Sequence, residues 1–565
     1  MQYTTLGRTG LKVSVAAMGC GGSSCLGLTA GRSVAQCAGI IQQAVGLGVN
    51  LIDTAKAYGT EPVVGEALKS IARESVVLST KHKVAEGKTL LSAAQVVAGL
   101  DNSLKTLGVD YVDIFYLPLL SWMATPGFDA WVLLTLLCAL WVGLMGIGTA
   151  VVTRLPGWPI WVACLWVLQE ALRGRVPWGG FAWGDLAFAQ AGTILGKYAS
   201  LIGRPGVTFI VALLGTTMLA AAIAFKSRKR TGGVAWSAAF LLVLIVGWVT
   251  PIGQGTTSSG QVAVAVVQGG TPQLGLSAMD VRREVLENHV AQTLLLARKV
   301  QMGEIAQPAF VLWPENSTDI DPFLDPAAAA VINRAAVAIN APILIGAVVN
   351  VPGNPLGIWN MGVVWDPVTG PGARYIKNHP VPFGEYVPMR KELTAILGRF
   401  DQIPRDFLAG DEPGLLAIGG VLVGDLICFE VSDDEVVNAL IAGGAEVITV
   451  QTNNATFGGS AQPEQQLEIE RLRAIETGRT VVVAATTGVS AFISPSGEVR
   501  AAMQQGEVGT LVASVPLTEG RTLSGRMGAA PEFLLSVLAG LAILAGVIMS
   551  IRRRSRRTPE HMVGA

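Results

Sequence analysis

The stretch VLVGDLICFEVSDDEVVNALIAGGAEVITV, residues 421–450, joins two apolar strand patterns through one amphipathic helix pattern. We predict the first strand over Val421–Phe429, with Cys428 near its end. Ser432 is the expected N-cap of the helix, because a serine ahead of an acidic first turn and an amphipathic run is a helix start signal. The stretch therefore predicts a strand–helix–strand unit of an α/β fold.

The same alternation fills residues 253–530. Runs rich in valine and isoleucine, such as QVAVAVVQG and PILIGAVVN, alternate with helical patterns, such as MDVRREVLENHVAQTLLLARKV and AAAAVINRAAVAIN. Runs that are apolar throughout are typical of strands buried on both faces. We predict an α/β domain over 253–530 with a largely buried sheet.

Cys428 is the only cysteine between the fourth long apolar block and the last one. A lone cysteine is most often a small buried hydrophobe. At the end of a strand and before a helix N-terminus, however, a thiol stands where a sheet can present a nucleophile. Glu315, in VLWPEN, and Lys377, in RYIKNHPVPFGEYVP, also lie at the ends of strand-like runs. This company favours a Glu–Lys–Cys site.

Five segments carry a resemblance to a known family. They are AVAVVQGG (263–270), LWPENS (312–317), YIKNHPVPFGEYVP (375–388), GDLICFE (424–430) and RLRAIETGR (471–479). From about Trp131 to the C-terminus, the chain resembles apolipoprotein N-acyltransferases, whose catalytic domain is nitrilase-like. The resemblance implies a four-layer αββα sandwich. Thr456, in TNNATFGG, departs from the family pattern, which usually has an aromatic residue there, near the acyl-chain pocket.

The resemblance also implies a ping-pong acyl transfer. Cys428 is the expected nucleophile and Glu315 its general base. Lys377 is the expected fixed positive charge that stabilises the thiolate and the oxyanion. The backbone N–H of Phe429, beside the nucleophile at a helix start, is the expected second oxyanion donor.

Two further carboxylates, Glu385 and Glu430, match polar positions of the family's site, and we expect them to orient Lys377 or to close the pocket. The implied substrates are a phospholipid as acyl donor and the free α-amino group of a diacylglyceryl-cysteine apolipoprotein as acceptor. No cofactor is implied. With zero net charge, six scattered cysteines and four histidines, the chain predicts neither nucleic-acid binding nor a metal site.

Three arginines lie in the second half of this domain. We expect them to pair with acids on a helix over 463–478 rather than to bind lipid phosphate. They are Arg471, Arg473 and Arg479.

Hydrophobic residues make up 51% of the chain, and the mean hydropathy is +0.49. Five blocks are long and apolar enough to span a bilayer, and they lie at about 130–152, 156–173, 206–225, 235–252 and 531–551. Glu170 and Arg173 end the second block, where anchoring at the membrane edge explains them at least as well as catalysis. Trp178, Phe181 and Trp183 suit an aromatic belt at the interface.

Basic residues indicate the orientation of these blocks. Arg154, KSRKR (226–230) and RRRSRR (552–557) fall on one side if the blocks alternate in direction, and the positive-inside rule makes that side cytoplasmic. Region 253–530 is then extracytoplasmic in a multi-pass protein of the bacterial cell membrane. Five is an odd number, so the N-terminus is expected on the side of region 253–530, although it carries no export signal.

Residues 1–118 carry a second, unrelated resemblance. YTTLGRTGLKVSVAAMGCGG, GVNLIDTAKAYG, VVLSTK and LDNSLKTLGVDYVDIFYL resemble the first half of an aldo-keto reductase. Asp53, Tyr58 and Lys81 match three members of that family's Asp–Tyr–Lys–His tetrad, and Pro118 stands where the histidine is expected. Because a (β/α)₈ barrel is closed by its later strands, only a partial barrel with vestigial site residues is predicted.

We therefore predict a multidomain membrane protein. A half barrel occupies 1–118, transmembrane helices lie within 119–252, a nitrilase-like domain occupies 253–530, a last span 531–551 and a basic cytoplasmic tail 552–565. Three alternatives compete with a membrane acyltransferase. They are a soluble-type amidase with the same triad, an aldo-keto reductase-like oxidoreductase, and an inactive chimeric product that lacks the first three of the family's eight membrane helices. Five spans are unnecessary for a soluble hydrolase, and the reductase half lacks the tetrad histidine.

Overall fold

A computed structural model describes residues 1–5, 11–21, 24–82, 85–86, 89–90, 93–116, 121–125, 127–253, 255–271, 283–396, 400 and 404–555. The chain divides into two compact units. One consists of Met1–Ala124 with Gly459–Ala461, and the other of Thr125–Gly458 with Gln462–Ala565.

The first unit contains the four strands and three intervening helices that the sequence predicts. Its strands are β1 Tyr3–Thr5, β2 Lys12–Ser14, β3 Met18–Gly19, β4 Leu51–Asp53, β5 Val77–Lys81, β6 Ala85–Glu86, β7 Thr89–Leu90 and β8 Ile114–Tyr116. Its helices are α1 Val34–Gly46, α2 Glu61–Leu68 and α3 Ala93–Leu107. Strands β3, β4, β5 and β8 form one parallel sheet in that order. Ile41, Ile52, Val64 and Leu78 pack in its core.

The second unit contains membrane-type helices and a two-sheet domain. Its helices are α4 Phe128–Val152, α5 Trp158–Arg173, α6 Ala199–Lys226, α7 Arg230–Val249, α8 Glu284–Gln301, α9 Pro326–Ile339, α10 Arg390–Ile396, α11 Asp434–Ala442, α12 Gln462–Thr477, α13 Leu523–Met527 and α14 Ala530–Ser555. Its strands are β9 Thr256–Gln268, β10 Phe310–Leu312, β11 Ile343–Asn350, β12 Gly357–Asp366, β13 Gly370–Ile376, β14 Asp406–Phe407, β15 Leu415–Ile418, β16 Val421–Ile427, β17 Val447–Thr452, β18 Val481–Ala485, β19 Ala491–Ile493, β20 Val499–Ala502 and β21 Gly509–Gly520.

Two sheets form the centre of the domain. One has the order β13-β12-β11-β10-β9-β21, with β14 added to β12, and the other has the order β15-β16-β17-β18-β19-β20. Successive residues of β9 point to opposite faces, as in any strand. Val264 and Val266 pack between the sheets against residues such as Val423. Ala265 and Val267 pack outward in the cluster that contains α8 and α9 residues. This is the layered arrangement expected of a nitrilase-like domain.

The predicted strand–helix–strand unit is present, but its helix begins one residue later than expected. A short 3₁₀ turn, Cys428–Ser432, follows β16, and the N-cap of α11 is Asp433, whose side chain accepts from the backbone N–H groups of Glu435 and Val436. Ser432 does not cap the helix, because its hydroxyl donates to the Phe429 carbonyl at 2.8 Å within the 3₁₀ turn.

Four helices of the described part are long and apolar enough to cross a membrane, and these are α4, α6, α7 and α14. The second predicted span, 156–173, forms the 16-residue helix α5 instead, which is short for a bilayer. Even so, α5 and the residues that flank it run alongside α14 over most of its length. Arg154 donates to Ser550 at 2.5 Å at one end, and Arg175 pairs with Glu532 at 2.7 Å at the other. Five crossing segments therefore stay a prediction.

Candidate active site

The three residues of the predicted triad follow three strands and come together in the second unit. Glu315 follows β10, Lys377 directly follows β13, and Cys428 directly follows β16. The Lys377 ammonium lies 3.3 Å from a Glu315 carboxylate oxygen. Both side chains are almost fully buried, with residue exposures of 1% for Lys377 and 4% for Glu315. Buried charges of this kind require partners, so their meeting is a specific feature of the fold.

Lys377 lies between two carboxylates. Besides Glu315, its ammonium contacts both oxygens of Glu385, at 3.0 Å and 2.9 Å. Burial alone lowers the pKa of a lysine, but here the charges of Glu315 and Glu385 outweigh it and hold the pKa of Lys377 above its usual range. Lys377 is therefore a permanent cation, and the orienting role of Glu385 stays a prediction that this contact supports.

Two asparagines that the sequence did not single out hold Glu315. The Asn360 side-chain amide donates to Glu315 at 2.7 Å and to Glu385 at 2.9 Å. The backbone N–H of Asn453 donates to the other Glu315 oxygen at 2.8 Å. The signal for Asn360 is a lone amide within the apolar strand pattern GIWNMGVVWD.

Cys428 adopts a backbone conformation that is unusual for a residue with a side chain. Its φ is +55°, in the left-handed region, at the point where β16 turns into the 3₁₀ helix. Such strain is found at functional sites, where the surroundings enforce it. Burial and the Glu315 charge raise the pKa of the Cys428 thiol to about 12, and the Lys377 charge opposes this. The resting group is a thiol, which requires a base before it can react.

Glu430 fastens the Cys428 turn to the strand end that carries Lys377. One oxygen accepts from the Tyr375 hydroxyl at 2.8 Å and from the backbone N–H groups of Asn378 and His379 at 2.7 Å and 3.1 Å. The other accepts from the backbone N–H of Ile427 at 2.9 Å. A carboxylate with this many donors ties the turn in place, and the supporting role of Glu430 stays a prediction that these bonds favour.

The loop after α5 supplies aromatic rings to the same place. Trp183 and Phe181 stack on the ring of Phe429, with centroid distances of 5.8 Å and 6.1 Å. Trp178 makes an edge contact with Phe383 at 5.5 Å, and its carbonyl accepts from the Tyr386 hydroxyl at 3.2 Å. An interfacial belt is therefore not a sufficient explanation, since these rings pack against residues beside Cys428 and on the loop after Lys377.

A second group of charges, buried apart from the half-exposed Arg175, joins the membrane-type helices to the two-sheet domain. This junction cluster consists of Arg173, Arg175, Arg204, Arg473, Asp185, Asp434, Glu476 and Glu532. Arg204, on α6, contacts Asp434 at 2.8 Å and Glu532 at 3.1 Å and also pairs with Asp185. Burial would raise the pKa of Asp434, but Arg204 and Arg473 outweigh it and lower that pKa.

The two charged residues at the end of the second apolar block belong to this interior and do not anchor the membrane edge. Arg173 donates to Asp185 at 2.5 Å and to the Phe181 carbonyl at 2.7 Å. Glu170 accepts from the Thr208 hydroxyl at 2.6 Å and from the backbone N–H of Leu186 at 2.9 Å. Both side chains are buried, and their hydrogen bonds hold the loop that carries the aromatic rings.

Two of the three predicted arginine pairings are confirmed. Arg471 pairs with Glu468 at 2.6 Å, and Arg473 pairs with Glu476 at 2.5 Å. The prediction for Arg479 is wrong. Its guanidinium donates to the backbone carbonyls of Ala445 and Gly520, each at 2.6 Å, because it lies between chain segments rather than along its own helix.

The reductase-like residues come together in the first unit. Lys81 contacts both Asp53 oxygens, at 2.8 Å and 2.7 Å, and its ammonium lies 5.0 Å from the centroid of the Tyr58 ring. The Lys81 and Asp53 side chains are 22% and 34% exposed, so this pair is more accessible to solvent than the Lys377 cluster. Pro118, at the tetrad histidine position, lies outside the described residues.

Three family models match the chain. The apolipoprotein N-acyltransferase N-terminal domain matches residues 106–217, the carbon-nitrogen hydrolase family matches residues 264–523, and the aldo/keto reductase family matches residues 17–120. The two resemblances seen in the sequence are thus confirmed, and the carbon-nitrogen hydrolase match covers Glu315, Lys377 and Cys428.

Similar proteins agree with these matches. An apolipoprotein N-acyltransferase of Mycolicibacterium smegmatis is 40% identical over 482 residues, which is 80% of either chain. One of Shewanella oneidensis is 31% identical over 442 residues, which is 74% of this chain and 79% of that one. Among solved structures, an amidase from Nesterenkonia is 20% identical, with a TM-score of 0.34 over 45% of this chain and 90% of that one. From its identity and coverage with these relatives, the chain belongs to the apolipoprotein N-acyltransferase family.

Proposed function

We propose that this protein moves a fatty acyl group from a phospholipid to the N-terminal amine of diacylglyceryl-cysteine apolipoproteins, through a thioester on Cys428. The observation that carries the proposal is the buried Glu315–Lys377–Glu385 group, whose charges act on the Cys428 thiol, in a chain of this family. Acyl transfer through a thioester needs a permanent cation, a carboxylate that acts as general base and a thiol nucleophile.

The first half-reaction breaks an ester of the phospholipid. Glu315 takes the Cys428 proton, and the sulfur attacks the ester carbonyl. Lys377 and the backbone N–H of Phe429 stabilise the negative oxygen of the tetrahedral intermediate. The carbon–oxygen bond then breaks, Glu315 returns the proton to the leaving alcohol, and a lysophospholipid departs.

The second half-reaction forms an amide. The free amine of the acceptor attacks the thioester, Glu315 takes a proton from the nitrogen, and the carbon–sulfur bond breaks. The departing sulfur recovers the proton from Glu315, which restores the thiol. A thiol pKa of about 12 fits this cycle, because the sulfur then holds its proton until substrate and base are in place.

The bundle supports an extracytoplasmic position for this chemistry. Arg154 and the C-terminal end of α14 meet at one end of the bundle, through the bond to Ser550. Glu532, at the N-terminal end of α14, pairs with Arg204. Arg204 also pairs with Asp434 of the two-sheet domain, so this end of α14 lies beside that domain. Arg154 and the C-terminal end of α14 thus lie at the end away from that domain, and under the positive-inside rule this supports a position of the domain outside the cytoplasm.

The test is a trapped intermediate. The full chain in detergent, incubated with phospholipid alone, should carry a hydroxylamine-sensitive acyl group on the peptide with GDLICFE, as measured by mass spectrometry. Addition of a diacylglyceryl-cysteine peptide should discharge it with formation of an amide. Cys428→Ala should abolish both steps, while Cys138→Ala, a change at another free cysteine, should leave them intact. Transfer without an adduct on Cys428 would contradict the proposal.

A further inference from the structure

Thr452 lies beside the sulfur of Cys428 because two parallel strands end together. In the register of β16 and β17, Ile427 pairs with Gln451, so the next residues, Cys428 and Thr452, meet at the carboxyl edge of the sheet. The Thr452 hydroxyl lies 3.4 Å from the Cys428 sulfur, and Thr452 is only 2% exposed. Water therefore has little access to this contact.

We propose that Thr452 is a further catalytic residue, whose hydroxyl donates a hydrogen bond to the Cys428 thiolate. The inference rests on the proposed role of Cys428 as the nucleophile. Lys377 is the charged stabiliser of the site, and Thr452 is a neutral donor that comes from the neighbouring strand.

The surroundings of Thr452 leave the sulfur as the best acceptor for its single hydrogen. Its other two partners are amide oxygens, Gln466 Oε1 at 3.3 Å and Asn454 Oδ1 at 3.5 Å. Gln466 Oε1 already accepts from the Asn454 side-chain nitrogen at 3.0 Å. Hydrogen bonds to an anion are about twice as strong as neutral ones, so the hydrogen turns to the sulfur once the thiol is ionised.

A buried chain of amides keeps this arrangement oriented. The Asn454 nitrogen also donates to Gln462 Oε1 at 2.9 Å, and the Gln466 nitrogen donates to Glu470 at 3.1 Å. Because the nitrogen ends of both amides are occupied, the oxygen ends face Thr452. The hydroxyl is thus fixed in place before the substrate arrives.

The role requires no proton transfer from Thr452. Glu315 removes the thiol proton, and the hydroxyl keeps its own while it stabilises the resulting anion. The sulfur is again anionic when it leaves the thioester in the second half-reaction. A donor that is stronger for the anion than for the thiol or the thioester lowers both barriers, since only differential binding accelerates a step.

The experiment measures the ionisation of Cys428 in the full chain purified in detergent. The rate of alkylation of Cys428 by iodoacetamide, followed by mass spectrometry of its peptide, is recorded against pH. Thr452→Val should lower the alkylation rate by about tenfold or more at each pH below the thiol pKa and slow thioester formation by roughly tenfold or more. Thr452→Ser keeps the hydroxyl and should behave like the natural chain.

Thr480→Val is the matched control, because that buried hydroxyl donates to the Pro516 carbonyl at 3.3 Å. Thr480 precedes β18 and therefore lies at the edge where the parallel strands begin, opposite the edge that carries Cys428. An unchanged alkylation profile in Thr452→Val, or an equal shift in the serine or control variant, would overturn the role of Thr452. If the valine variant does not fold, Thr452→Ala against Thr452→Ser supplies the same contrast. A shifted profile in a chain that phospholipid never acylates would leave this contact standing and reject the proposed function.

Discussion

Two clusters of buried charge in the second unit invite comparison. Around Lys377, one cation serves two carboxylates, Glu315 and Glu385. In the junction cluster, four arginines meet four carboxylates, and Arg204 alone contacts three of them. Apart from Arg175, whose side chain is 54% exposed, both clusters are buried by the same fold, yet their charge balances differ.

The difference shows how one interior can hold both a reactive and an inert ionic site. A carboxylate in excess of the available cation can gain a proton without stranding a positive charge, which is what a general base does. In a balanced network, protonation of one acid leaves a buried guanidinium short of a partner, which is costly. The junction cluster therefore holds the two parts of the unit together. The Lys377 cluster instead contains one carboxylate more than cations, which suits the proposed role of Glu315 as general base.

The largest expected effect is on stability, from Arg204→Met. This change removes one of the two arginines that contact each of Asp185, Asp434 and Glu532, and breaking such a buried pairing costs about 3–5 kcal/mol. Thermal unfolding of the full chain in detergent should show a clearly lower midpoint. Arg500→Met removes an ion pair with Glu498 whose side chains are 62% and 58% exposed, so it should change the midpoint little. Equal midpoints in the two variants would refute the structural role of the junction.

Lys377→Met should break the other cluster in the opposite way. The methionine fills a similar volume without charge, and the Asn360 amide and the backbone N–H groups of Val381 and Asn453 still donate to the two carboxylates, so the fold should persist. Loss of the oxyanion charge should slow thioester formation at least about a hundredfold. Quantitative mass spectrometry of the Cys428 peptide measures this. A variant that unfolds like Arg204→Met, or one that acylates at the natural rate, would erase the contrast.

Glu385→Gln should give a smaller effect of the same kind. The single amide oxygen can still accept from one of the two present donors, Asn360 or the backbone N–H of Val381, and the change removes one of the two charges that hold Lys377. We expect thioester formation to fall by about tenfold, the usual size of a lost charged hydrogen bond. The matched change Glu468→Gln, in the partly exposed pair with Arg471, should leave the rate unaffected.

His379 should add a modest pH dependence beside the active site. Its ring donates to Asp433, the N-cap of α11, at 2.7 Å, and this bond, with the nearby charges of Asp433, Glu430 and Glu435, raises the pKa of His379 above its ordinary 6.5. A raised pKa stabilises the fold fully below the ordinary value and loses that contribution as the pH rises through the raised one. The thermal midpoint should therefore fall in this window, and His379→Gln should remove that part of the fall. An unchanged fall in the variant would assign it to other groups.

The smallest effect, none on acyl transfer, is expected from Lys81→Met. The Lys81–Asp53 pair resembles the Lys377 cluster in chemistry, but it is partly exposed and belongs to the first unit. We also expect no tight binding of NADPH to the full chain in fluorescence titration, since the later half of the reductase barrel is missing from the match. Saturable binding at micromolar NADPH, lost in Lys81→Met, would show that the reductase-like unit is functional.

Sequence reasoning located most of the site and part of its support. Glu315, Lys377 and Cys428 could be predicted because each follows an apolar strand pattern, and Glu385 because it lies in the same loop as Lys377. Asn360, Asn453 and Thr452 were not predicted, because a single polar residue in or just after a strand, even the lone amide of Asn360, does not show which side chains it will meet until the partner strands are known. The helix cap moved from Ser432 to Asp433 for a similar reason, since a 3₁₀ turn and an α-helix start look alike over five residues.

Residues near the apolar blocks were the least predictable. Glu170, Arg173 and the aromatic residues of the following loop fit a membrane edge in composition, yet they pack inside the unit. Hydropathy reports how apolar a segment is, but not what a charged residue at its end will meet. The same limit applies to α5, which is too short by length yet follows α14 between its two ends.

The sequence by itself determined the order of the units, the alternation of strands and helices in 253–530 and the residue types of the site, because periodicity and strand-end position are local properties. Only the tertiary structure decided which strands are neighbours, and with them the Thr452–Cys428 contact, the two acids around Lys377 and the balanced junction cluster. Such groups are brought together from positions far apart in the chain. Their charge and burial depend on packing, which no local pattern encodes.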